Sequence, residues 1–390
     1  MTRPHAEPGH PMKSRIQPLV LIVLLCLYPV LASAAPQIPA PPQLDAKGYL
    51  LIDFNTGQVL ADINADERLE PASLTKIMTG YVVFRELAEG NIRLDDQVLV
   101  SEKAWRTGGS RMFIEVGTQV SVEDLLKGMI IQSGNDASVA LAEHVAGSVE
   151  AFANLMNAHA RRLGMTNSHF TNPNGLPDPD LYTTARDIAR VTMAIIREFP
   201  QYYAWYSSRD FTYNDITQPN RNPLLRRDPS ADGVKTGYTR AAGYCLVGSA
   251  KRDDQRLVSV LMGAPSPNAR ATSSLALLNY GFRFYESHRL YPAGQPVEHL
   301  RVWYGEQEVL SVGPATDVFA TIPRGDYGQL SARIERTAEL TAPIAVGARI
   351  GDLVVDNAGR ELTRVPLVAL EAVPEGGLVR KAKDHLLRMF

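Results

Sequence analysis

The sequence predicts an α/β domain followed by a small all-β domain and a short amphipathic helix. Three observations carry that reading. Helical patterns fill the stretch between an early strand pair and a late one, as expected when helices cover a sheet. After about Tyr291 the pattern changes to short alternating runs separated by Gly, Pro and Asp, the texture of a small β domain. The last thirteen residues separate apolar from charged side chains at the helical period.

The chain opens on a leader. Met12-Lys13-Ser14-Arg15 supplies a basic start, Leu19 to Leu31 an apolar stretch, and Ala32-Ser33-Ala34 a small-residue cleavage site. Residues 1–34 are therefore expected to be a signal peptide, with residues 1–11 a polar upstream extension. The apolar run is short for a bilayer span of about 20 residues, which favours cleavage over a transmembrane anchor. Leu25 is too large to precede a lipidated cysteine, which argues against a lipoprotein at Cys26. Loss of the leader leaves Cys245 as the one cysteine, so an exported protein without an intrachain disulfide is expected.

Residues 35–43 carry Pro36, Pro39, Pro41 and Pro42 and form an extended tether. The α/β domain is expected over residues 44–290. Tyr49 to Leu60 has the pattern of a hairpin around Asn55-Thr56-Gly57. A helix from near Pro71 to Glu89, stopped by Gly90, is apolar around most of its circumference and so belongs in a core. Further helical patterns cover Val122 to Ile131, Ala137 to Ala146, Val149 to Leu163 and Thr184 to Arg197. Two strand-like runs follow, Gly243 to Ala250 and Arg256 to Met262.

Residues 291–375 carry the β runs Val297 to Tyr304, Val318 to Ile322, Leu330 to Ile334, Ile350 to Val355 and Val365 to Leu370. Pro374-Glu375-Gly376-Gly377 then gives a flexible exit to a helix, so residues 376–390 form a third element. Leu378, Val379, Ala382, Leu386, Met389 and Phe390 share one arc of about 120°, opposite Arg380, Lys381, Asp384, His385 and Arg388. Such a helix is about 20 Å long, too short to span a bilayer. It suits a membrane surface, apolar face inserted and basic face toward anionic headgroups; the alternative is packing on the protein's own surface.

Composition narrows the function. The 390 residues are 45% apolar and 21% charged, with 40 Lys+Arg against 42 Asp+Glu. That is a globular chain with no basic excess, which argues against a nucleic-acid partner. His144, His159, His169, His288, His299 and His385 have no metal-ligand spacing and no nucleophile elbow beside them, so neither a metalloenzyme nor a Ser-His-Asp hydrolase is supported.

Three motifs carry chemistry. Ser73-Leu74-Thr75-Lys76 sets a hydroxyl and an amine three residues apart on one face of the core helix. Burial lowers a lysine pKa toward that of a useful base, and the adjacent serine is then a natural nucleophile. Alone, the pair fits a snorkelling lysine beside a hydrogen-bonded serine equally well. Ser133-Gly134-Asn135 between helical segments offers a hydroxyl and an amide to a cleft. Lys235-Thr236-Gly237 leads into the Gly243 strand and offers a cation, a donor and close backbone access.

Together, in this order, these are the S-x-x-K, S-x-N and K-T-G set of penicillin-recognising serine enzymes. The chain resembles the serine-type D-alanyl-D-alanine carboxypeptidases, the low-molecular-mass penicillin-binding proteins, over nearly its whole mature length. The resemblance extends through Pro71 to Thr79, Ile131 to Ala140 and Asp232 to Gly237. It implies a transpeptidase/β-lactamase-like α+β catalytic domain, a β-rich second domain and a C-terminal amphipathic anchor on the periplasmic face of the inner membrane. It implies no cofactor.

The resemblance also implies roles. Ser73 would attack the carbonyl between two D-alanines, Lys76 would take its proton, and Ser133 would pass a proton to the leaving D-alanine. Asn135 would hold Lys76 or the substrate backbone. Backbone N–H groups of Ser73 and Tyr238 would form the oxyanion hole. Lys235, Thr236 and Gly237, helped by Arg270, would bind the terminal carboxylate. Tyr238 departs from the family, where histidine is frequent. The implied substrate is a peptidoglycan stem ending in D-Ala-D-Ala, and β-lactams are implied inhibitors. The rivals are a D,D-endopeptidase and a β-lactamase. One β-lactamase class activates water with a loop glutamate. Thr171 to Thr184 has Asp178 and Asp180 but no glutamate, so a slow acyl-enzyme is expected.

Overall fold

Side chains along the strand Gly48–Asp53 alternate between two cores, and that alternation organises the catalytic half. Leu50 and Ile52 join one buried cluster, Tyr49 and Leu51 the other. The strand Gln255–Ala264 does the same, with Val258, Val260 and Met262 on one face and Leu257 and Leu261 on the opposite one. A five-stranded antiparallel sheet results, in the order Val59–Ile63, Gly48–Asp53, Gln255–Ala264, Gly243–Arg252, Ala231–Thr239. The computed structural model describes residues 38–336 and 338–389. The expected signal peptide, with Cys26, lies outside the described residues, as does Phe390.

Helices cover both faces. Thr75–Ala88, Asn135–Ala146 and Ala185–Glu198 share one buried cluster with Leu50 and Val260 through Ile77, Val82, Leu141 and Ile188. Every residue from Thr75 to Phe84 is buried, as a helix apolar all round requires. Pro267–Phe284 covers the opposite face with Leu277, Leu278 and Phe282.

This last helix has no counterpart in the sequence reading, although Ser266 caps it by accepting from Ala269 N and Pro267 starts it. Its Ala-Ser-rich first turns hide the periodicity. A second correction concerns Lys235-Thr236-Gly237. Rather than leading into a strand, these residues lie within one, Ala231–Thr239, paired in register from Lys235↔Val247 to Thr239↔Gly243.

Beyond it, Tyr285–Tyr291 pairs with Val318–Pro323, and six strands from Glu298 to Ala369 form a sheet around Leu310, Val312, Leu353 and Leu367. Val309–Pro314, a member of that sheet, was not anticipated, because its apolar run is only two residues before Ser311 interrupts it. The two halves meet at a polar junction. Buried Asp53 accepts from Ser287 Oγ, and Thr56 and Thr321 hydroxyls lie 2.7 Å apart.

The terminal helix, Leu378–Leu387, inverts the usual rule for a surface helix. Its charged side faces inward: buried Asp384 accepts from Tyr304 N at 2.7 Å, Arg380 pairs with Glu308, and Lys381 pairs with Glu375. Its apolar side faces out, with Leu378 87%, Val379 86% and Met389 70% exposed. No helix of the described residues is long and apolar enough to cross a membrane.

Candidate active site

The site is assembled where the turn before the core helix meets the last strand of the sheet. Ala72–Leu74 forms one tight turn, with Ala72 at φ +48°, and Thr75 Oγ1 donates back to Ala72 O at 2.8 Å. Ser73 thus stands just ahead of the helix, with Lys76 one residue inside it. Lys76 is 1% exposed. Its Nζ lies 3.0 Å from Ser73 Oγ, 2.6 Å from Asn135 Oδ1 and 2.7 Å from Asn174 O.

Burial pushes the Lys76 amine down to about 7, against a smaller upward pull from Asp136. As a neutral amine it has two N–H donors and one lone pair. Asn135 Oδ1 and Asn174 O take the two donors, so the lone pair faces the Ser73 hydroxyl. That arrangement can remove a proton from Ser73.

Asn174 was not singled out in the sequence. It belongs to the segment Thr171 to Thr184, pinned to the helix by Thr79 Oγ1 donating to Pro173 O at 2.6 Å. The neighbouring Gly175 has φ +79°, and a Cβ there would stand 1.8 Å from Ala72 O, so only glycine lets the segment approach Lys76 this closely. In the same segment Asp178 accepts from Asp180 N, serving the local turn.

Ser133 follows a wide helical turn, Gly128–Gln132, and sits at φ +71°, a left-handed conformation uncommon for serine. Lys235 Nζ donates to Ser133 Oγ and to Thr236 O, both at 2.9 Å. Burial, reinforced by Lys76, Arg221 and Arg270, holds the Lys235 amine well below the usual lysine range. Lys235 is buried beneath the cleft, whereas Thr236, Gly237 and Arg270 line it. The sequence-predicted residues are therefore brought together, with Lys235 reaching Ser133 rather than the open pocket.

The cleft encloses about 380 Å³ and is lined by Ser73, Ser133, Thr236, Gly237, Tyr238 and Arg270, with Ser110, Arg221 and Tyr244. A Cβ on Gly237 would lie 3.1 Å from Ser73 N, so the strand passes within contact of the Ser73 backbone.

Asp136 is a further residue missed in sequence. Its buried carboxylate meets no lysine or arginine within ion-pair distance among the described residues. Instead it accepts from the N–H groups of Met112 and Phe113 at 3.0 Å each and of Ile114 at 3.4 Å. With Asn135 Nδ2 donating to Gly108 O at 2.7 Å, it fixes the segment that carries Ser110 into the cleft. Its place directly after Ser133-Gly134-Asn135 was the available signal. Asp136→Asn removes an acceptor oxygen from buried N–H donors, so a stability loss of about 2–3 kcal/mol is expected in denaturant unfolding. An unchanged midpoint would contradict this account.

A family model described as D-alanyl-D-alanine carboxypeptidase matches residues 35–266, and one for the C-terminal domain of penicillin-binding protein 5 matches residues 285–375. The D-alanyl-D-alanine carboxypeptidase DacC of Escherichia coli K12 is 43% identical over 374 residues, covering 94% of each chain. The crystal structure of penicillin-binding protein 5 from Haemophilus influenzae superposes with a TM-score of 0.81 at 43% identity, over 86% of this chain and 100% of that one. Penicillin-binding protein D2 of Listeria monocytogenes in its ampicillin-bound form matches at 27% identity and TM-score 0.58, over 63% of this chain and 100% of that one.

Proposed function

The chain belongs to the D-alanyl-D-alanine carboxypeptidase family, and from that premise we propose that Ser73 and Lys76 remove the terminal D-alanine of peptidoglycan stem peptides through an acyl-enzyme. The observation that carries this reading is the buried amine of Lys76, 3.0 Å from Ser73 Oγ and held in place by Asn135 Oδ1 and Asn174 O. Ser73 Oγ attacks the carbonyl between the two D-alanines while its proton passes to Lys76 Nζ. The oxyanion is held by the N–H groups of Ser73 and Tyr238, each donor worth about 3 kcal/mol of barrier.

Collapse of the intermediate breaks the peptide bond. The leaving D-alanine nitrogen takes the proton of Ser133 Oγ, which is replaced by the one held on Lys76, while Lys235 Nζ donates to that oxygen at 2.9 Å. Thr236 and Arg270 hold its carboxylate, a charge-assisted contact. Water then attacks the acyl-Ser73 ester, restoring the serine and leaving a shortened stem. A β-lactam acylates Ser73 in the same way but keeps its leaving group tethered. With no carboxylate of Thr171 to Thr184 aimed at Lys76, that adduct is long-lived.

The test is incubation with a peptide ending in D-Ala-D-Ala, alongside labelled penicillin. D-alanine release with a stable adduct is the expected result. Rapid penicillin turnover without release means a β-lactamase, and no D-alanine release but scission of a crosslinked dimer into two stems means an endopeptidase.

The exported chain works at the periplasmic face of the inner membrane, held there by the helix Leu378–Leu387. Support comes from its apolar face, which points away from the protein, while Arg380, Lys381 and Asp384 secure the opposite side. The mature chain is expected to sediment with vesicles containing anionic lipid, and a version lacking Leu378 to Phe390 is expected to stay in solution. Equal sedimentation of both would remove the helix from this role.

A further inference from the structure

We propose that Tyr244 is a positioning residue for Arg270, fixing its guanidinium as the seat for the substrate's terminal carboxylate; this rests on the carboxylate-binding reading of Arg270. Arg270 enters the cleft from the first turn of Pro267–Phe284, on the far side of the strand that carries Thr236. Its restraints are few. The guanidinium has no carboxylate partner within ion-pair distance among the described residues, and its buried Nε has no hydrogen-bond partner. One bond, Nη1 to Gly237 O, is long at 3.5 Å.

What remains is an aromatic ring. The Arg270 guanidinium carbon lies 5.7 Å from the centroid of Tyr244, within the range of cation–π attraction. Tyr244 is itself held: Tyr238 stacks on it at 4.3 Å with an interplanar angle of 27°, and the two pair directly across neighbouring strands. The sheet thus fixes the ring, and the ring fixes the cation.

An arginine side chain free to choose among rotamers would have to be ordered by each arriving substrate, a cost that appears in binding. Prior placement by Tyr244 removes that cost and leaves guanidinium donors unpaired for an incoming carboxylate.

The test measures KM and kcat on a D-Ala-D-Ala peptide for four variants: Tyr244→Leu, Tyr244→Phe, Arg270→Ala and the double Tyr244→Leu/Arg270→Ala. Leucine keeps apolar bulk while removing the π face, and thermal unfolding checks that each variant is folded. Tyr244→Leu is expected to raise KM about fivefold with kcat little changed, whereas Tyr244→Phe stays within about twofold of the parent. In the Arg270→Ala background, Tyr244→Leu is expected to add less than about twofold, because its effect runs through the missing guanidinium. Full additivity in the double variant, or a fall in kcat without a KM change, overturns the proposal while leaving Arg270 as the carboxylate ligand. An Arg270→Ala variant with unchanged KM overturns that underlying reading as well.

Discussion

Ser73→Ala is expected to abolish both D-alanine release and covalent labelling by penicillin, with activity falling by about 10⁴-fold or more. The alanine keeps the turn, since Ser73 contributes only its hydroxyl to the Lys76 contact at 3.0 Å and the turn is held by Thr75 Oγ1 on Ala72 O. Folding and non-covalent penicillin binding through Thr236 and Arg270 should therefore survive while chemistry stops. Ser133→Ala offers the contrast. It removes a proton relay but leaves nucleophile and base in place, so a loss of about 10²–10³ is expected. Similar losses for both would mean that the two hydroxyls are not distinguished in role. A labelled Ser73→Ala protein would exclude Ser73 as the acylated atom.

Lys76→Met is expected to lose activity about as severely, yet with little net change in stability at neutral pH. Burial holds the Lys76 amine at about 7 against an ordinary 10.5. Between those values the unfolded chain carries the proton and the folded chain does not, so the folded state becomes more stable as pH rises through the window. Near neutral pH that desolvation costs the fold on the order of 4 kcal/mol. Methionine removes this cost but leaves Asn135 Oδ1 and Asn174 O without their donor, a penalty of about 1–3 kcal/mol for each. The two terms are of similar size and offset one another. The variant should unfold at a midpoint close to that of the parent at neutral pH, and the parent should gain on it as pH rises. A destabilised Lys76→Met protein with parent-like pH dependence would contradict a neutral buried amine.

The sequence made the chemistry more legible than the scaffold. Ser73, Lys76, Ser133, Asn135 and Thr236 sit in short contiguous motifs, because each motif lies in one turn or strand whose backbone delivers its side chains together. The residues overlooked act through other parts of the chain. Asn174 contributes a carbonyl, which carries no side-chain signature. Asp136 meets backbone N–H groups 22 to 24 residues away. Arg221, whose Nε donates to Gln132 O, and Tyr244 enter the cleft from outside the motifs. Among the elements, Pro267–Phe284 was obscured by small residues at the helix start. The strand Ala231–Thr239 was obscured because Lys235, Thr236 and Gly237 draw attention as a motif rather than as three positions of a buried strand. The terminal helix was legible in its amphipathicity and in its outward apolar face, but not in where its charged face turns: onto the protein, where Tyr304 N and Arg380 meet the buried Asp384.

The account stands on a neutral Lys76 acting as base toward Ser73, and the pH dependence of penicillin acylation in a single turnover tests that step alone. Release of D-alanine and deacylation do not enter the rate. The expected result is a rate that rises with pH through a midpoint near 7, the value to which burial brings Lys76, and then levels off. A rate that is flat across that range, or that keeps rising toward the ordinary lysine value of 10.5, would contradict it.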